Sequence, residues 1–588
     1  MPLPAFQYQP LPARSIRVIE LLPARRPEDP LRCAIRAVSL DDARAAPYEA
    51  LSYVWGEPAG RWPLDCAGAE LLVTRNCREA MVHLRRRFAP RTLWIDAVCI
   101  NQGGDDPAVE ERNRQVRMIG EVYLRARRVL IWLGPGDAAT SDLFRYLPIV
   151  KLMDRIQEDY PRLDKILHHT ISQHFDMNGA LVRRKQAQLR ASMVAILENP
   201  WFERVWTIQE VAFVRKCVII HGRSSVDWES FCLAYMAEPR LRKSARPAKD
   251  LIIPRWRLYL SLRGSSLQAI PTARFEGNEQ AEFELGLLSD LRNMKATVAH
   301  DRIYSLYAVF QAMGLDLPAP DYRKDIAKVF EEVTLAYIRL RQNLNIIAIT
   351  PPPDEGSGFP SWVPDWLTPG SNGAFGIWKL ADFDVNTLSI APVLTANTKD
   401  GKLGVMGKII GTITKRICCP RIGDPGASKN QAYEELKSSC AHWRRSIDGL
   451  TAYPSGKDPR QIERVLLRSY HSDVPKSRLG TLYNWAVRDR SSAPPPLVDD
   501  ATLDCLVEER KLTGTWVVII LDTGYYGTAH HLCQVGDEIA VLASLNPLVL
   551  RPQTAQREFR IVTPAYCDGG MNGELDLPTE ELEEIILV

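Results

Sequence analysis

The sequence lacks the features of a secreted or membrane-spanning protein. No apolar run reaches the roughly 18 residues that a membrane-spanning helix needs. The amino terminus, MPLPAFQYQPLPARS, has neither the charged start nor the apolar core of a secretory signal. The 12 cysteines are scattered, without a CxxC pair or a regular ladder, which favours reduced thiols. We therefore expect a cytoplasmic protein with no membrane partner.

An excess of charge of one sign is also missing. The chain has 74 basic and 71 acidic residues and a formal net charge of +3. Such near-balance supplies no general attraction to a polyanion, so nucleic acid is not an expected partner. With 46% hydrophobic residues over 588 positions, the chain is too long for a single core, and two to four packed units are expected.

Common catalytic and metal-binding motifs are absent as well. The sequence contains no Walker phosphate loop, no GxSxG elbow and no HExxH pair. Residues 134–139 match GxGxxA, but Pro135 separates the two glycines, so this segment is interpreted as a turn. His168, His169 and His174 have no companion ligands at metal-binding spacing. No metal site and no bound cofactor are expected.

From residue 48 the sequence alternates between strand and helix patterns. YEALSYVWG, TLWIDAVCI and RVLIWLG are typical of strands, and NCREAMVHLRRR and ERNRQVRMIGEVYLRA lie between them. A helix, WFERVWTIQEVAF, then precedes a last strand, CVIIHG, that ends near Gly222. Alternation of this kind predicts an α/β unit with a doubly wound parallel sheet covered on both faces.

The predicted helices each have one apolar face. The first places Ala80, Leu84 and Phe88 at intervals of four residues, which predicts that all three are buried. The second places Val116, Ile119, Val122 and Tyr123 together on one side.

We predict four regions along the chain. Residues 1–46 form an amino-terminal strand pair, residues 47–222 the α/β domain, residues 223–350 a helical region, and residues 351–588 a mixed, β-rich region. Proline-containing linkers are expected near 420–430 and 490–500.

Three segments of the α/β domain resemble a known family. YEALSYVWGEP, LWIDAVCINQ and NPWFERVWTIQE are similar, in order and spacing, to the heterokaryon incompatibility (HET) domain. HDRIYSLYAVF and SWVPDW, further along the chain, also look like segments of HET-containing proteins. The resemblance implies a role in fungal non-self recognition, in which fusion of incompatible cells triggers growth arrest or death. It also implies self-association through the HET domain and an unidentified recognition partner.

HET domains are in turn similar to TIR domains, which are flavodoxin-like signalling units that sometimes cleave NAD. A TIR domain's first strand ends in a Ser-aromatic-x-Gly-acid turn, and residues 52–57 are similar with one residue more. The NAD-cleaving glutamate of TIR domains commonly lies four residues after a tryptophan, the spacing of Trp206 and Glu210. A long insert at residues 138–200 departs from the TIR pattern. The resemblance implies NAD as a substrate and Glu210 as the catalytic residue.

NAD cleavage requires few catalytic side chains. Loss of nicotinamide passes through an oxocarbenium-like transition state, which a single nearby carboxylate stabilises. Glu210 is the candidate, because its helix is expected to reach the carboxyl edge of the sheet, where open α/β sheets bind ligands. A structural ion pair, for example with Arg204, is the alternative.

Four residues are candidates for binding the nucleotide. Ser52, Trp55 and Gly56 follow the first strand, where a tryptophan can stack on a base or pack beneath a turn. Asp96 follows the second strand and can accept from a ribose hydroxyl or hold its loop, as can Asn101-Gln102. A non-catalytic module, with Tyr53, Trp55, Trp201 and Phe202 as interface anchors, is the alternative function.

Overall fold

A computed structural model of the chain describes residues 3–42, 47–57, 60–159, 180–237, 252, 255, 258–259, 279–350, 352–368, 394–395, 398–418, 516–542, 545, 547–554, 557–567 and 579–588. The chain divides into two compact units. The first comprises residues 1–275 and 293–324, and the second comprises residues 276–292 and 325–588. The linkers expected near 420–430 and 490–500 lie outside the described residues. The predicted domain boundaries stay predictions.

A mixed sheet organises the first unit. Its strands are β1 (Ser15–Leu21), β2 (Arg32–Ser39), β3 (Glu49–Tyr53), β4 (Trp62–Cys66), β5 (Ala69–Val73), β6 (Arg91–Trp94), β7 (Arg128–Trp132), β8 (Cys217–His221) and β9 (Ser224–Asp227). Across the sheet they run in the order β5-β4-β2-β1-β6-β3-β7-β8-β9. Strand β3 is buried along its whole length and therefore lies in the core.

The centre of this sheet is parallel. Strand β3 pairs in parallel with β6 on one side and β7 on the other, and β7 pairs in parallel with β8. Counted along the chain, these four strands have the spatial order 2-1-3-4, which is the order of a flavodoxin-like sheet. The prediction of an α/β fold is thereby confirmed.

The sheet extends beyond its parallel centre through antiparallel hairpins. Strands β1 and β2 form the expected pair, and β1 also joins β6. The hairpin β4–β5 adds to one side and β9 adds to the other. The sheet is therefore mixed rather than parallel throughout, and it continues through β9 beyond Gly222, where the sequence predicted its end. Ala67 and Gly68 adopt φ of 55° and 90° between β4 and β5, and this left-handed backbone suits a two-residue hairpin turn.

The helices are α1 (Arg75–Leu84), α2 (Asp96–Cys99), α3 (Asp106–Arg125), α4 (Ala138–Asp159), α5 (Ala180–Leu197), α6 (Thr207–Ala212), α7 (Trp228–Ala237), α8 (Glu279–Asp290), α9 (Asp301–Tyr304), α10 (Tyr307–Ala312) and α11 (Ile326–Arg341). Helices α8 and α11 belong to the second unit, and the others to the first. None of the helices in the described part of the chain combines the length and apolar character needed to cross a membrane.

The structure confirms the predicted apolar face of α3 and corrects that of α1. Helix α3 buries Val116, Ile119, Val122 and Tyr123 as expected. Helix α1 buries Ala80 and Leu84 but ends at Leu84, so Phe88 lies beyond it and is 79% exposed. The prediction that Phe88 packs against the sheet was wrong, because the backbone of Arg85 turns to an extended conformation and ends the helix.

In its described residues the second unit contains helices α8 and α11 and a sheet that closes on itself. Strands β10 (Leu403–Cys418), β11 (Trp516–Leu521), β12 (Tyr526–His530), β13 (Glu538–Leu542), β14 (Leu548–Pro552), β15 (Glu558–Cys567) and β16 (Glu583–Leu587) run in the order β11-β12-β15-β14-β13-β10-β16. The long strand β10 also pairs with β11, which closes the ring. Apolar side chains such as Ile413, Ile519 and Val541 form its core. The β-rich carboxyl-terminal region is as predicted.

Candidate functional site

The candidate site lies where β3 ends. Strand β3 is central in the parallel part of the sheet, and its carboxyl end at Ser52 and Tyr53 leads into the loop that carries Trp55 and Gly56. Carboxyl ends of parallel strands share one edge, where ligands of open α/β sheets bind. The end of β6, which leads into Asp96, lies at this same edge.

The segment that carries Glu210 is anchored to the same edge. Asn199 donates from its side-chain amide to the carbonyl oxygen of Leu133, just after β7, at 2.8 Å. Its amide oxygen accepts from the backbone NH of Trp201 at 3.0 Å and begins a 3-10 turn, Pro200–Glu203. Helix α6 begins only at Thr207, after an extended residue at Arg204. The single helix predicted from Trp201 onward is therefore two short elements.

Ser52 connects these two parts of the site. Its hydroxyl donates to Oε2 of Glu210 and accepts from the indole Nε1 of Trp201, the latter at 2.7 Å. The structure thus places Glu210 at the carboxyl end of β3, the edge that the sequence predicted. Glu210 is nevertheless only 4% exposed.

The surroundings of Glu210 favour its neutral form. Burial raises the pKa of its carboxyl group to about 7, and the neighbouring Asp96 carboxylate acts in the same direction. The guanidinium of Arg204, the Ser52 hydroxyl and the guanidinium of Arg255 oppose that shift. A carboxyl group with a pKa near 7 exchanges its proton in the neutral range, as catalytic acids and bases often do.

Trp55 and Asp96 bind each other beside this group. The indole Nε1 of Trp55 donates to Oδ2 of Asp96 at 2.9 Å, and Oδ1 accepts from the backbone NH of Ala97 at 2.7 Å. Both side chains are partly exposed. Burial raises the pKa of the Asp96 carboxyl, while Arg204 and the Trp55 hydrogen bond lower it.

Gly56 adopts a backbone conformation that favours glycine. Its φ of +77° lies in the left-handed region, and an added Cβ would lie 3.0 Å from Nδ2 of Asn76. That same amide donates to the carbonyl oxygen of Val54 at 2.9 Å. Asn76, which the sequence analysis did not identify, therefore fixes the loop that presents Trp55.

Two arginines complete the cluster. Arg204 donates to the carbonyl oxygen of Tyr53 and forms no salt bridge with Glu210 in the described structure. The alternative of a direct Arg204–Glu210 ion pair is therefore wrong. Arg255 is fully buried and donates to the Thr207 hydroxyl at 2.7 and 3.0 Å and to the Arg204 carbonyl oxygen at 3.0 Å. No pattern in the sequence identified Arg255.

Three of the four proposed interface anchors are buried. Trp201 and Phe202 have no exposed surface, and Tyr53 is 1% exposed. The ring of Trp201 packs edge-on against Phe202 and Trp228, with centroids 5.0 and 5.9 Å apart. These three residues are core residues, and the prediction that they anchor a partner was wrong. Trp55 alone of the four is partly exposed.

A buried ion pair holds the short helix that begins with Asp96. Arg17 and Glu111 are 4% and 5% exposed, and their side chains meet at 2.6 and 2.9 Å. Arg17 also donates to the carbonyl oxygen of Cys99 at 3.0 Å, and Glu111 accepts from the backbone NH of Asn101 at 2.9 Å. Both contacts fall at the carboxyl end of α2 and fix its position.

The side chains of Asn101 and Gln102 hold the adjoining loop, which is the structural role that the sequence offered for them as an alternative to ligand binding. Oδ1 of Asn101 accepts from the backbone NH of Gly103 at 3.0 Å, and the Gln102 amide donates to the Asp96 carbonyl oxygen at 3.3 Å.

The GxGxxA segment is a turn packed against another turn. An added Cβ on Gly136 would lie 2.6 Å from the His221 carbonyl oxygen, and one on Gly222 would lie 2.1 Å from that of Pro135. Asp137 then begins α4 by accepting from the Thr140 backbone NH at 2.6 Å. His168, His169 and His174 lie outside the described residues. Within the described part of the chain, no cluster of three or more His, Cys, Asp or Glu is placed to hold a metal ion.

Comparisons with known proteins match both units. Residues 48–210 match the family model "Heterokaryon incompatibility protein (HET)", and residues 509–588 match the model "Het-6 beta-barrel domain". The chain is similar to "Heterokaryon incompatibility protein 6, OR allele" of Neurospora crassa, at 25% identity over 686 residues, covering 98% of this chain and 96% of that protein. No solved structure matches the chain.

Proposed function

Because this chain carries a HET domain and a Het-6 β-barrel domain, we propose that it acts in fungal heterokaryon incompatibility, as a cytoplasmic effector of non-self recognition whose activation leads to cell death. The similarity to Heterokaryon incompatibility protein 6, which extends over 98% of the chain, supports this role. The proposed effector reaction is hydrolysis of NAD to nicotinamide and ADP-ribose.

One observation carries the enzymatic part of the proposal. Glu210, a carboxyl group with a pKa of about 7, is hydrogen-bonded to Ser52 at the carboxyl end of the central parallel strand. The flavodoxin-like order of β6, β3, β7 and β8 supports a TIR-like domain, in which this edge is the expected ligand position.

In the proposed reaction Glu210 stabilises charge in the transition state. Ionised Glu210 stabilises the positive charge that develops on the ribose as its bond to nicotinamide breaks. Nicotinamide takes the bonding electrons and leaves as a neutral molecule without a general acid. Water then adds to the ribose carbon and releases a proton. A carboxylate shielded from bulk water stabilises this charge more strongly than one in solution.

Trp55 and Asp96 are proposed to hold the nucleotide. The partly exposed indole of Trp55 offers a face on which a nicotinamide or adenine ring stacks, and the Asp96 carboxylate accepts from a ribose hydroxyl. Their mutual hydrogen bond at 2.9 Å fixes both before a ligand binds. Such preorganisation lowers the entropy lost on binding.

The burial of Glu210 makes the proposed activity a regulated one. At 4% exposure Glu210 has almost no contact with solvent, so a substrate reaches its carboxyl group only after the surrounding segments move. Self-association of the HET domain is the proposed trigger, because contact between copies would shift these segments towards an open state.

The test measures nicotinamide released from NAD by the full-length protein, before and after crosslinking into oligomers. We expect Glu210→Ala to lower the rate about 100- to 1,000-fold, the loss typical for removal of one transition-state contact. Glu203→Ala is the matched control, since Glu203 lies on the preceding turn and pairs with Lys295 at 2.6 Å, outside the cluster. Absence of nicotinamide release from oligomeric wild-type protein would overturn the proposal, as would equal release by Glu210→Ala.

The burial of Glu210 also favours a second function. A buried carboxyl group that accepts from Ser52, whose hydroxyl in turn accepts from the Trp201 indole, fits a purely structural role in a module that signals by assembly alone. Toxicity on expression in a fungal cell separates the two functions. Assembly alone predicts that toxicity persists in Glu210→Gln and is lost in Trp55→Ala, whereas NAD cleavage predicts that both substitutions abolish it.

A further inference from the structure

Two loops at the other edge of the parallel strands form a single surface. Residues 22–30 follow β1, and residues 85–90 lie between α1 and β6. Leu21 pairs with Arg91 across β1 and β6, which brings the two loops side by side. Because β6 begins at Arg91, they lie at the amino ends of the parallel strands, opposite the edge that carries Glu210.

Arg85 joins the two loops. Its guanidinium donates to four carbonyl oxygens of the first loop, those of Asp29 and Pro30 at 2.9 Å each, Pro27 at 2.9 Å and Arg26 at 3.1 Å. In addition, the backbone NH of Ala24 donates to the carbonyl oxygen of Arg86 at 3.2 Å. Both loops are thereby held in one conformation and presented together.

The surface that these loops form is strongly basic. Arg25, Arg26, Arg86 and Arg87 are all exposed, and none forms a salt bridge with any residue that the structure describes. Glu28 and Asp29 are the carboxylates of the first loop, and Asp29 also accepts from the backbone NH of Arg26 at 3.1 Å. Two carboxylates against four exposed arginines and Arg85 leave a local excess of positive charge.

Apolar side chains project from the same surface. Phe88 is 79% exposed and Leu22 is 41% exposed, and the Arg87 guanidinium lies 5.2 Å from the centre of the Phe88 ring. Apolar side chains flanked by arginines have the composition of an interfacial membrane anchor, with rings entering the acyl boundary and guanidinium groups meeting phosphates. We name this surface the arginine–phenylalanine edge, comprising Leu22, Arg25, Arg26, Arg86, Arg87 and Phe88.

We propose that the arginine–phenylalanine edge docks the protein onto an anionic phospholipid membrane without crossing it. The absence of a membrane-length apolar run and of a secretory signal predicted no membrane partner. This proposal departs from that prediction because docking needs only exposed apolar side chains and a locally concentrated positive charge. A second copy of the chain fits less well, since four unpaired arginines would face the same four across a symmetric contact. Nucleic acid also fits less well, since an unpaired base can stack on Phe88 but leaves the exposed Leu22 without an apolar environment.

Docking at this edge does not cover the edge that carries the candidate site. Glu210 and Trp55 lie at the carboxyl edge of the parallel strands, which would face away from the membrane. The protein is then concentrated in two dimensions, where contacts between copies become more frequent at the same total concentration. The proposal does not depend on NAD cleavage and can be tested without it.

The test is sedimentation of the full-length protein with vesicles of phosphatidylcholine alone or mixed with phosphatidylserine. We expect binding to the mixed vesicles only, weakening as salt is raised. Arg86→Ala/Arg87→Ala should lower the partition coefficient about 30-fold, since each arginine near an anionic surface contributes about five-fold. Phe88→Ser should lower it several-fold. Arg114→Ala/Arg223→Ala is the matched control, removing two exposed arginines outside the two loops, and should bind as wild type.

Equal binding to neutral and mixed vesicles, or an unchanged partition of Arg86→Ala/Arg87→Ala, would overturn the proposal. A third arm measures binding to single-stranded RNA. If wild-type protein binds RNA and not vesicles, and the double substitution abolishes RNA binding while Phe88→Ser does not, the edge is a nucleic-acid surface and the membrane proposal fails. All the substituted side chains are exposed, so matching thermal melting curves will verify that the variants fold.

Discussion

Glu210→Gln keeps the acceptor for the Ser52 hydroxyl and removes a carboxyl group whose pKa burial raises from 4.5 to about 7. The charged groups that act on this carboxyl are Arg204, Arg255 and Asp96. Because the folded pKa lies above the unfolded value, the neutral form is the better accommodated one. Its contribution to stability is fully present below pH 4.5 and is lost as pH rises through about 7.

The magnitude follows from the size of the shift. One pKa unit corresponds to about 1.4 kcal/mol, so the wild type should lose about 3 kcal/mol of unfolding free energy across this range relative to Glu210→Gln. The glutamine side chain does not titrate, so the variant does not show this loss of unfolding free energy. Other titrating groups, such as Glu49 and Glu111, are common to both proteins and cancel in the difference.

The assay is urea unfolding of both full-length proteins at a series of pH values, followed by tryptophan fluorescence. The difference in unfolding free energy between wild type and variant should fall with rising pH and level off above about 7. Nicotinamide release by the wild type should rise over the same range, because the proposed reaction needs ionised Glu210. The two profiles therefore have opposite slopes.

A difference that stays constant with pH would refute this reasoning. It would mean that Glu210 has a similar pKa in both states, and hence that its carboxyl group is hydrated in the folded protein. The activity profile provides a second check, since catalysis that is maximal below pH 5 would require the neutral acid and exclude the proposed role of a carboxylate.

Two further substitutions test how the site is held. Arg17→Met should lower the unfolding free energy by roughly 3–5 kcal/mol in urea unfolding, because it leaves the Glu111 carboxylate buried without its cation. The control, Arg14→Met, breaks more exposed ion pairs and should lower the unfolding free energy by under about 1 kcal/mol. Equal effects of the two substitutions would contradict the argument. Gly222→Ala should cost several kcal/mol, because its Cβ would meet the Pro135 carbonyl oxygen at 2.1 Å, whereas Gly68→Ala, at φ of +90° with open space around it, should cost roughly 1–2 kcal/mol. Similar melting temperatures for the two glycine variants would show that the turns at 134–136 and 222 separate easily.

Strong apolar periodicity made much of the first unit predictable. Strands β3, β6, β7 and β8 are short apolar runs between amphipathic or polar segments, which is the pattern of a buried parallel sheet. Strand β4 escaped prediction because WPLDC contains Pro63 and Asp65, residue types that are rare inside sheets. Pro63 lies outside the pairing of β4 with β2, which includes only Asp65 and Cys66 of β4, and the Asp65 carboxylate lies 3.6 Å from the Arg32 guanidinium.

The position of the candidate site was predictable, but its environment was not. Ser52 and Glu210 were assigned to one edge because Ser52 lies at the carboxyl end of a parallel strand and the helix that carries Glu210 was expected to reach that edge, an inference that needs only topology. The burial of Glu210 and the contact between Thr207 and Arg255 depend on side chains far apart in sequence. Periodicity carries no information about such contacts, and so the interface anchors were misplaced.

Strand β10 is separated from the rest of its sheet by the chain between Cys418 and Trp516, and the Het-6 barrel match begins only at residue 509. A fragment that begins at residue 509 would lack β10, the strand that pairs with both β11 and β13. The unpaired backbone groups of β11 and β13 would then be exposed to pairing with other chains. Pairing of remote segments slows folding, and the ring can close only after synthesis has passed β15, about 140 residues after β10 ends.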